Sequence, residues 1–429
     1  MSRVIPGALT ALRARGFVQQ CTDIETLEKT LDTEPVTFYV GIDPTGTSLH
    51  IGHLIPLYAM AHLAEHGHRA IVIVGDGTSR IGDPSGRSET RKLIPVETIA
   101  SNAAAMGGQI DRFLSQRTGA GFTMVHNADW LAGLNYIDFL RDIGRHFSVN
   151  RMLSFETYKM RLETGLSFIE FNYQLLQSYD FLQLFQNHGC RLQIGGDDQW
   201  GNIVAGADLI RRVTGGEAFG LTFPLITRSD GKKMGKTEKG AIFLDPEMVS
   251  PYDFFQYWRN VHDSDVRKFL LLYTFLPLSE IDELTNVEGS QINAAKERLA
   301  YETTVLVHGE QEAQNARTAA KSLFADGASG GVGASGTGQN GPAGGAVPGA
   351  SLAGAELAAG IGAIELFLRS GLCSSKGEAR RLITQGGAYV NDEKVVDIDA
   401  VLDRAVTAGH GEIVLRAGKK RYFRFSVEE

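Results

Sequence analysis

Short apolar runs alternate with longer amphipathic or apolar segments through the first half of the chain. Val36–Ile42 (VTFYVGI) has the length and β-branched content of a buried strand. His53–Glu65 follows as an apolar segment of helix length, with Pro56 in its first turn, where proline is tolerated. Arg69–Val74 reads as a second strand and ends at Gly75–Asp76–Gly77. Phe122–Val125 and Arg191–Ile194 read as further strands, with helices over Asn135–Phe147 and Ile169–Asn187. This alternation predicts an α/β fold, a doubly wound parallel sheet of the Rossmann-like type. Ligands of such sheets bind beyond the carboxyl ends of the strands. Three polar, glycine-containing stretches fall there: Asp43–His53, Asp76–Arg91 and Gly195–Asn202.

The pattern changes twice more. From about Pro251 it turns helical: Asp263–Ser264 can cap a helix carrying Val266, Phe269, Leu270 and Tyr273, and Ser290–Ala319 reads as one long helix. Asp326–Ala350 is Gly, Ala and Ser with two prolines, a composition that builds no core. Pattern returns after it. Ile364–Arg369 is amphipathic, Ser374–Ile383 is helical with a basic face, and Ala388–Val390 with Val395–Val396 form a hairpin around Asn391–Asp392. The expected division is a catalytic domain over 1–244, an α-helical domain over 245–324, a flexible Gly/Ala-rich linker over 325–360 and a small α+β domain over 361–429.

Bulk properties narrow the function. A chain of 429 residues, 43% hydrophobic, can form two or three cored domains. No apolar run approaches the length of a membrane span, and residues 1–16 lack the apolar centre of a secretory signal. Cys21, Cys190 and Cys373 are few and widely spaced, which predicts a reducing, cytoplasmic setting and no zinc site. The net charge of −8 does not advertise a nucleic-acid binder, so any RNA contact must use local patches. Residues 361–429 hold eleven Lys/Arg against ten Asp/Glu, with basic clusters at Arg380–Arg381 and Lys419–Lys420–Arg421 with Arg424.

Several motifs suggest chemistry and fail. Gly41–Ser48 has the spacing of a P-loop, but Thr47 stands in place of its lysine. Gly75–Asp76–Gly77 begins a dinucleotide fingerprint, but Arg80 replaces the third glycine. His62–Leu63–Ala64–Glu65–His66 spells a zinc-protease pattern on the outer end of a helix, where a solvated helix end is the simpler reading. Two other stretches belong together. Leu49–His50–Ile51–Gly52–His53 places two imidazoles where a strand gives way to a helix, and helix N-termini favour phosphate. Lys232–Lys233–Met234–Gly235–Lys236–Thr237 is a basic loop flanked by glycines.

In this order the two stretches resemble the HIGH and KMSKS motifs of class I aminoacyl-tRNA synthetases. The likeness extends to bacterial tyrosyl-tRNA synthetases through Tyr39–Thr45, Ile81–Gly86, Tyr173–Asp180 and Gln193–Asn202, and covers essentially the whole chain. The resemblance implies activation of L-tyrosine by ATP with Mg²⁺, transfer to tRNA(Tyr), and a homodimer. Position by position, it implies that Tyr39 and Asp180 hold the substrate phenol, and that Tyr173, Gln177 and Asp83 hold the ammonium group. Gln199 lies with the tyrosine. Asp43, Gly52, His53 and Asp198 attend the nucleotide, and Thr45 and His50 the γ-phosphate. Lys233 and Lys236, with Arg87 and Arg91, neutralise pyrophosphate. Residues 245–324 then read as anticodon-binding and residues 361–429 as RNA-binding through Arg380, Arg381, Lys419, Lys420 and Arg421. The loop departs from the family in reading KMGKT, which loses one serine hydroxyl, and Val40 is apolar where some relatives place a side chain able to reach the ribose. Tryptophanyl-tRNA synthetase, a nucleotidyltransferase with an HxGH motif, and a non-catalytic RNA-binding relative are the competing readings. Tyr39 with Asp180 favours a phenol over an indole.

Overall fold

The computed structural model describes residues 4–85, 94–118, 121–227, 229, 234–237, 240–325, 349–407, 411–418 and 421–428. The chain forms two compact units, Met1–Val249 with Tyr257–His308, and Ser250–Gln256 with Gly309–Glu429.

The first unit is built on a six-stranded sheet. Its strands are β1 (Gln20–Cys21), β2 (Thr37–Ile42), β3 (Arg69–Val74), β4 (Thr123–His126), β5 (Cys190–Gly196) and β6 (Phe219–Phe223), in spatial order β1-β6-β5-β2-β3-β4. β2 to β6 run parallel, and only the short edge strand β1 is antiparallel. β3 and β6 are buried almost end to end, as a sheet covered on both faces requires. Tyr39 stands opposite Ile71 on one side and Gln193 on the other. Its face packs with Phe181, Leu182, Leu209 and Ile210, which come from the helices Phe168–His188 and Trp200–Thr214. The helix Leu54–Glu65 has nine buried residues and lies against β3 and β5.

Local chemistry fixes where the long helices begin and end. Ser167 and Glu170 form a reciprocal capping box at the start of Phe168–His188, and Gly189 ends it in the left-handed region at φ 61°. Arg161 adds a buried ion pair to Glu170 at 2.9 Å, which joins the preceding helix to that start. The expected helix over Ser290–Ala319 is two helices, Ile292–His308 and Glu310–Ala325. Gly309 between them has φ 91°, which a continuous right-handed helix excludes.

In the second unit, a five-stranded sheet runs in the order Glu393–Lys394, Ala388–Val390, Glu412–Ala417, Arg421–Glu428, Gly349–Ala353. Helices Ala363–Arg369 and Lys376–Thr384 contribute Leu366, Phe367, Ala379 and Ile383 to its core. The hairpin turns at Asn391 and Asp392, both at positive φ. A two-residue turn pairs its immediate flanks. The returning strand is therefore Glu393–Lys394, and not Val395–Val396. Of the stretch expected as linker, 325–360, residues 349–359 are folded. Gly349–Ala353 is a parallel strand against Arg421–Glu428 and Gly354–Ala359 a helix, because Leu352 and Leu357 are buried in the module's core.

Candidate active site

The sheet changes direction at β2, which lies between β3 and β5. A crevice at the carboxyl ends of the strands is the expected consequence. Four connections meet there: the one after β2, carrying Asp43 to His53; the one after β3, carrying Asp76 to Ser85; Asn127 and the short helix Ala128–Leu131 after β4; and Asp198 and Gln199 after β5, leading into the helix Trp200–Thr214 with Asn202 in its first turn. The helix Phe168–His188 supplies Tyr173, Gln177 and Asp180 at helical spacing along one side.

Asp180 is the most constrained acid of the site. It is 3% exposed; Trp130 Nε1 donates to its Oδ1 at 2.7 Å and Asn127 Nδ2 to its Oδ2 at 2.9 Å. Burial pushes its pKa up to about 7 despite those two donors, with Asp43 and Asp76 adding to the rise. Tyr39 packs its ring 5.2 Å from that of Phe181. Its hydroxyl is buried and has no hydrogen-bond partner, and the same holds for Oε1 of Gln177 and of Gln193. Burial and the nearby Asp180 charge raise the Tyr39 pKa well above its ordinary value, so the hydroxyl stays protonated. Such orphaned polar atoms are uncommon in a folded protein and can accept an outside partner.

Two further carboxylates are tied to the same framework. Asp43 accepts from Thr78 Oγ1 at 3.0 Å and from Tyr173 Oη at 3.1 Å, and Thr78 also accepts from Asn127 Nδ2 at 3.1 Å. A Cβ at Gly75 would overlap Asp43 Oδ1, so a side chain there would displace this acid. Asp83 accepts from the Ser85 amide at 2.9 Å and from Gln199 Nε2 at 2.8 Å, while Gln199 Oε1 accepts from Asn202 at 3.0 Å. The carboxyl groups of Asp43 and Asp83 are chemically suited to a cationic head group.

The nucleotide end is built from the two histidines. Gly52 N–H donates to His50 Nδ1 and His50 N–H to His53 Nδ1, each at 3.1 Å, and the rings lie 4.0 Å apart. Each Nδ1 accepts, so the neutral ring carries its proton on Nε2, a donor suited to phosphate oxygen. The segment after the lysine loop runs antiparallel to this one: Ile51 donates to the Ile242 carbonyl at 3.0 Å, Leu244 to that of Leu49 at 2.8 Å, and His50 stands opposite Phe243. Gly235 lies against Ile51. The two motifs are thus joined by backbone hydrogen bonds. Thr45 is exposed, its amide donating to the Asp43 carbonyl at 2.8 Å; Gly52 is exposed and Asp198 half-buried. Arg87, Arg91, Lys233, Lys419 and Lys420 lie outside the described residues, as does the side chain of Lys236. Far along the chain, Arg380 and Arg381 are exposed on Lys376–Thr384, whereas Arg421 is half-buried and donates to the Leu372 carbonyl at 2.8 Å.

The chain matches the family model for class I tRNA synthetases (W and Y) over residues 31–325. It is 56% identical over 417 residues to a tyrosine–tRNA ligase of Treponema denticola, spanning 97% of this chain and 98% of that protein. The chain belongs to the tyrosyl-tRNA synthetases. Its reaction is the ATP-dependent ligation of tyrosine to tRNA, and the tryptophan and nucleotidyltransferase readings fall away. Residues 347–425 match the tyrosine–tRNA ligase SYY-like C-terminal domain. A tyrosine–tRNA ligase of Desulfatibacillum aliphaticivorans is 50% identical over 98% of this chain and 99% of its own. Among solved structures, a C-terminally truncated mitochondrial tyrosyl-tRNA synthetase of Aspergillus nidulans superposes with a TM-score of 0.66 at 30% identity, covering 74% of this chain and 94% of that one. The Archaeoglobus fulgidus tyrosyl-tRNA synthetase complexed with L-tyrosine shares the fold, with a TM-score of 0.54 at 18% identity over 72% of this chain and 99% of that one.

In this synthetase, the sequence assigns no role to four polar residues of the crevice: Thr78 and Gln193, which lie inside the stretches Asp76–Arg91 and Gln193–Asn202, and Asn127 and Trp130, which lie in neither. Asn127 and Trp130 directly follow β4, so their position at a strand's carboxyl end was the available signal. Gln193 stands in register with Tyr39.

Proposed function

We propose that the crevice binds tyrosine with its phenol against Asp180 and Tyr39 and its reacting carboxylate toward the two histidines. The observation carrying this reading is the buried Asp180, braced at both oxygens, beside a Tyr39 hydroxyl that lacks a partner. Asp180 accepts the phenol proton, and Tyr39 pairs with the phenol oxygen. Asp83, Tyr173 and Gln177 hold the α-ammonium group, with Gln199 fixing Asp83. Phenylalanine would leave the buried acid and hydroxyl unpaired, which a site of this kind rejects strongly.

ATP enters as its magnesium complex, with Asp43, Gly52, His53 and Asp198 at its adenosine side. A carboxylate oxygen of tyrosine attacks the α-phosphorus, the bond to the bridging oxygen breaks, and pyrophosphate leaves. Thr45, His50, Lys233 and Lys236, with Arg87 and Arg91, neutralise the charge that grows on the leaving group; positioning and electrostatics carry such a step. A terminal ribose hydroxyl of tRNA(Tyr) then attacks the tyrosyl carbonyl and AMP departs. Residues 245–324 read the anticodon, and the folded module from Gly349 onward grips the tRNA through Arg380 and Arg381, joined by Lys419, Lys420 and Arg421. A homodimer suits the segment between Tyr136 and Ile169, which keeps Ile137, Val149, Met160, Leu162 and Phe168 exposed. Three free cysteines suit the cytoplasm.

Amino-acid-dependent ATP–pyrophosphate exchange across all twenty amino acids, without tRNA, tests the pocket. Exchange with tyrosine alone is expected in the wild type. Asp180→Ala should lower the preference for tyrosine over phenylalanine by about 100-fold or more; unchanged preference would overturn the assignment.

A further inference from the structure

Asp76, the second residue after β3, is joined to three donors. Its Oδ1 accepts from the backbone amides of Gly77 and Ala128, each at 3.0 Å, and its Oδ2 lies 2.9 Å from His126 Nδ1. Gly77 belongs to the turn that leaves β3; His126 is the last residue of β4, and Ala128 opens the short helix Ala128–Leu131 that follows it. Val74 and His126 are the last paired residues of these two strands, and Asn127 N–H adds a bond to the Val74 carbonyl at 3.1 Å. Asp76 therefore closes the gap that opens where the ladder stops.

The residues it closes around are those that hold Asp180. Asn127 sits between His126 and Ala128, is fully buried, and uses its whole amide: Oδ1 accepts from Gly77 N–H at 2.7 Å, and Nδ2 donates to Thr78 and to Asp180. Trp130 lies two residues beyond Ala128 in the same short helix and donates to the other oxygen of Asp180. A carboxylate with a fixed donor at each oxygen keeps only certain lone-pair directions for a third donor. The position of the 126–130 segment thus sets where Asp180 can accept a phenol.

We propose that Asp76, assisted by His126, is a specificity-positioning residue: it locks the turns after β3 and β4 together so that Asn127 and Trp130 aim Asp180 at the substrate hydroxyl. Neither residue touches tyrosine in this account. The inference rests on Asp180 being the phenol acceptor. A loosened brace lowers the affinity for tyrosine but leaves phenylalanine, which makes no such bond, almost unaffected.

The test uses the full-length enzyme in pyrophosphate exchange with tyrosine and with phenylalanine. Asp76→Ala is expected to reduce the tyrosine-to-phenylalanine ratio of kcat/KM by about tenfold through the KM for tyrosine, with KM for ATP changing by less than about twofold. Asp76→Asn keeps an oxygen for the Gly77 and Ala128 amides and should restore most of the ratio, which separates geometry from charge. An unchanged ratio in Asp76→Ala, or an equal rise in both KM values, would overturn the proposal and leave Asp76 a stabilising residue only. If Asp76→Ala does not fold, His126→Ala decides, with a fall in the ratio of about threefold expected and no fall contradicting the proposal. Asp180→Ala runs beside them: if that variant keeps its discrimination, the phenol-acceptor reading fails, whereas loss in Asp180→Ala without loss in the Asp76 and His126 variants defeats this inference alone.

Discussion

At the residue scale, the protonation of Asp180 connects the pocket to pH. Its carboxyl titrates near 7 in the folded chain, above the ordinary value of 3.8. The raised value means that the folded state keeps a proton that the unfolded chain has already lost. Stability of the free enzyme therefore falls as pH rises from the ordinary carboxylate range to about 7, and is flat beyond it. In the proposed binding mode tyrosine affinity runs the other way, because a phenol would donate to the ionised acid. Affinity for tyrosine should rise as pH increases through about 7, with a proton released on binding at about pH 6 and little released at about pH 8. Calorimetry in buffers of different ionisation enthalpy measures that proton directly, and phenylalanine should release none. The residues proposed for this pocket were legible through the family resemblance: Tyr39, Asp83, Tyr173, Gln177, Asp180 and Gln199 lie in the runs that carry it. Asn127 and Trp130 were not, since one Asn and one Trp after a strand form no pattern, and their value comes only from the fold that puts them against Asp180.

At the element scale, the histidine segment and the lysine loop are joined by the ladder at Ile51 and Leu244, and the loop has a second attachment. Asp265, 6% exposed at the head of the helix Val266–Tyr273, accepts from both the amide and the hydroxyl of Ser229 at 3.0 Å. Lys268 on the same helix donates to the Thr227 carbonyl at 3.2 Å. The root of the loop is therefore held by an element distant in sequence from the crevice. Asp265→Ala should slow adenylate formation by about three- to tenfold in single-turnover measurements while leaving the Kd for tyrosine unchanged. A matching loss of tyrosine affinity would place the effect in the pocket instead. Strands such as β2 and β3 were readable because continuous β-branched runs admit few alternatives. The break at Gly309 was hidden in a helix-favouring composition, where one glycine costs little until its φ is known. The strand Gly349–Ala353 was hidden too, for it is held by the neighbouring Arg421–Glu428 and not by its own sequence.

At the scale of the whole molecule, the two matched families meet the chain at 31–325 and 347–425, and the folded C-terminal sheet begins at Gly349. A truncation meant to remove the C-terminal module should thus end before Gly349; ending at Gly360 would strand the Gly349–Ala353 strand without its partner. Deleting residues 349–429 should leave tyrosine-dependent pyrophosphate exchange within about twofold and reduce tRNA charging by about tenfold or more. Equal loss of both activities would mean that the module supports folding of the catalytic part. The Tyr39 hydroxyl bears on the molecule as a whole as well. A buried hydroxyl without a partner costs about 1–3 kcal/mol. Tyr39→Phe removes it, and should raise the melting temperature of the free enzyme by about 1–2 °C while weakening the further rise that tyrosine brings; a lower melting temperature would show that the hydroxyl is already satisfied. Read this way, the crevice is an unfinished piece of hydrophobic core, and the substrate is the last side chain to fold into it.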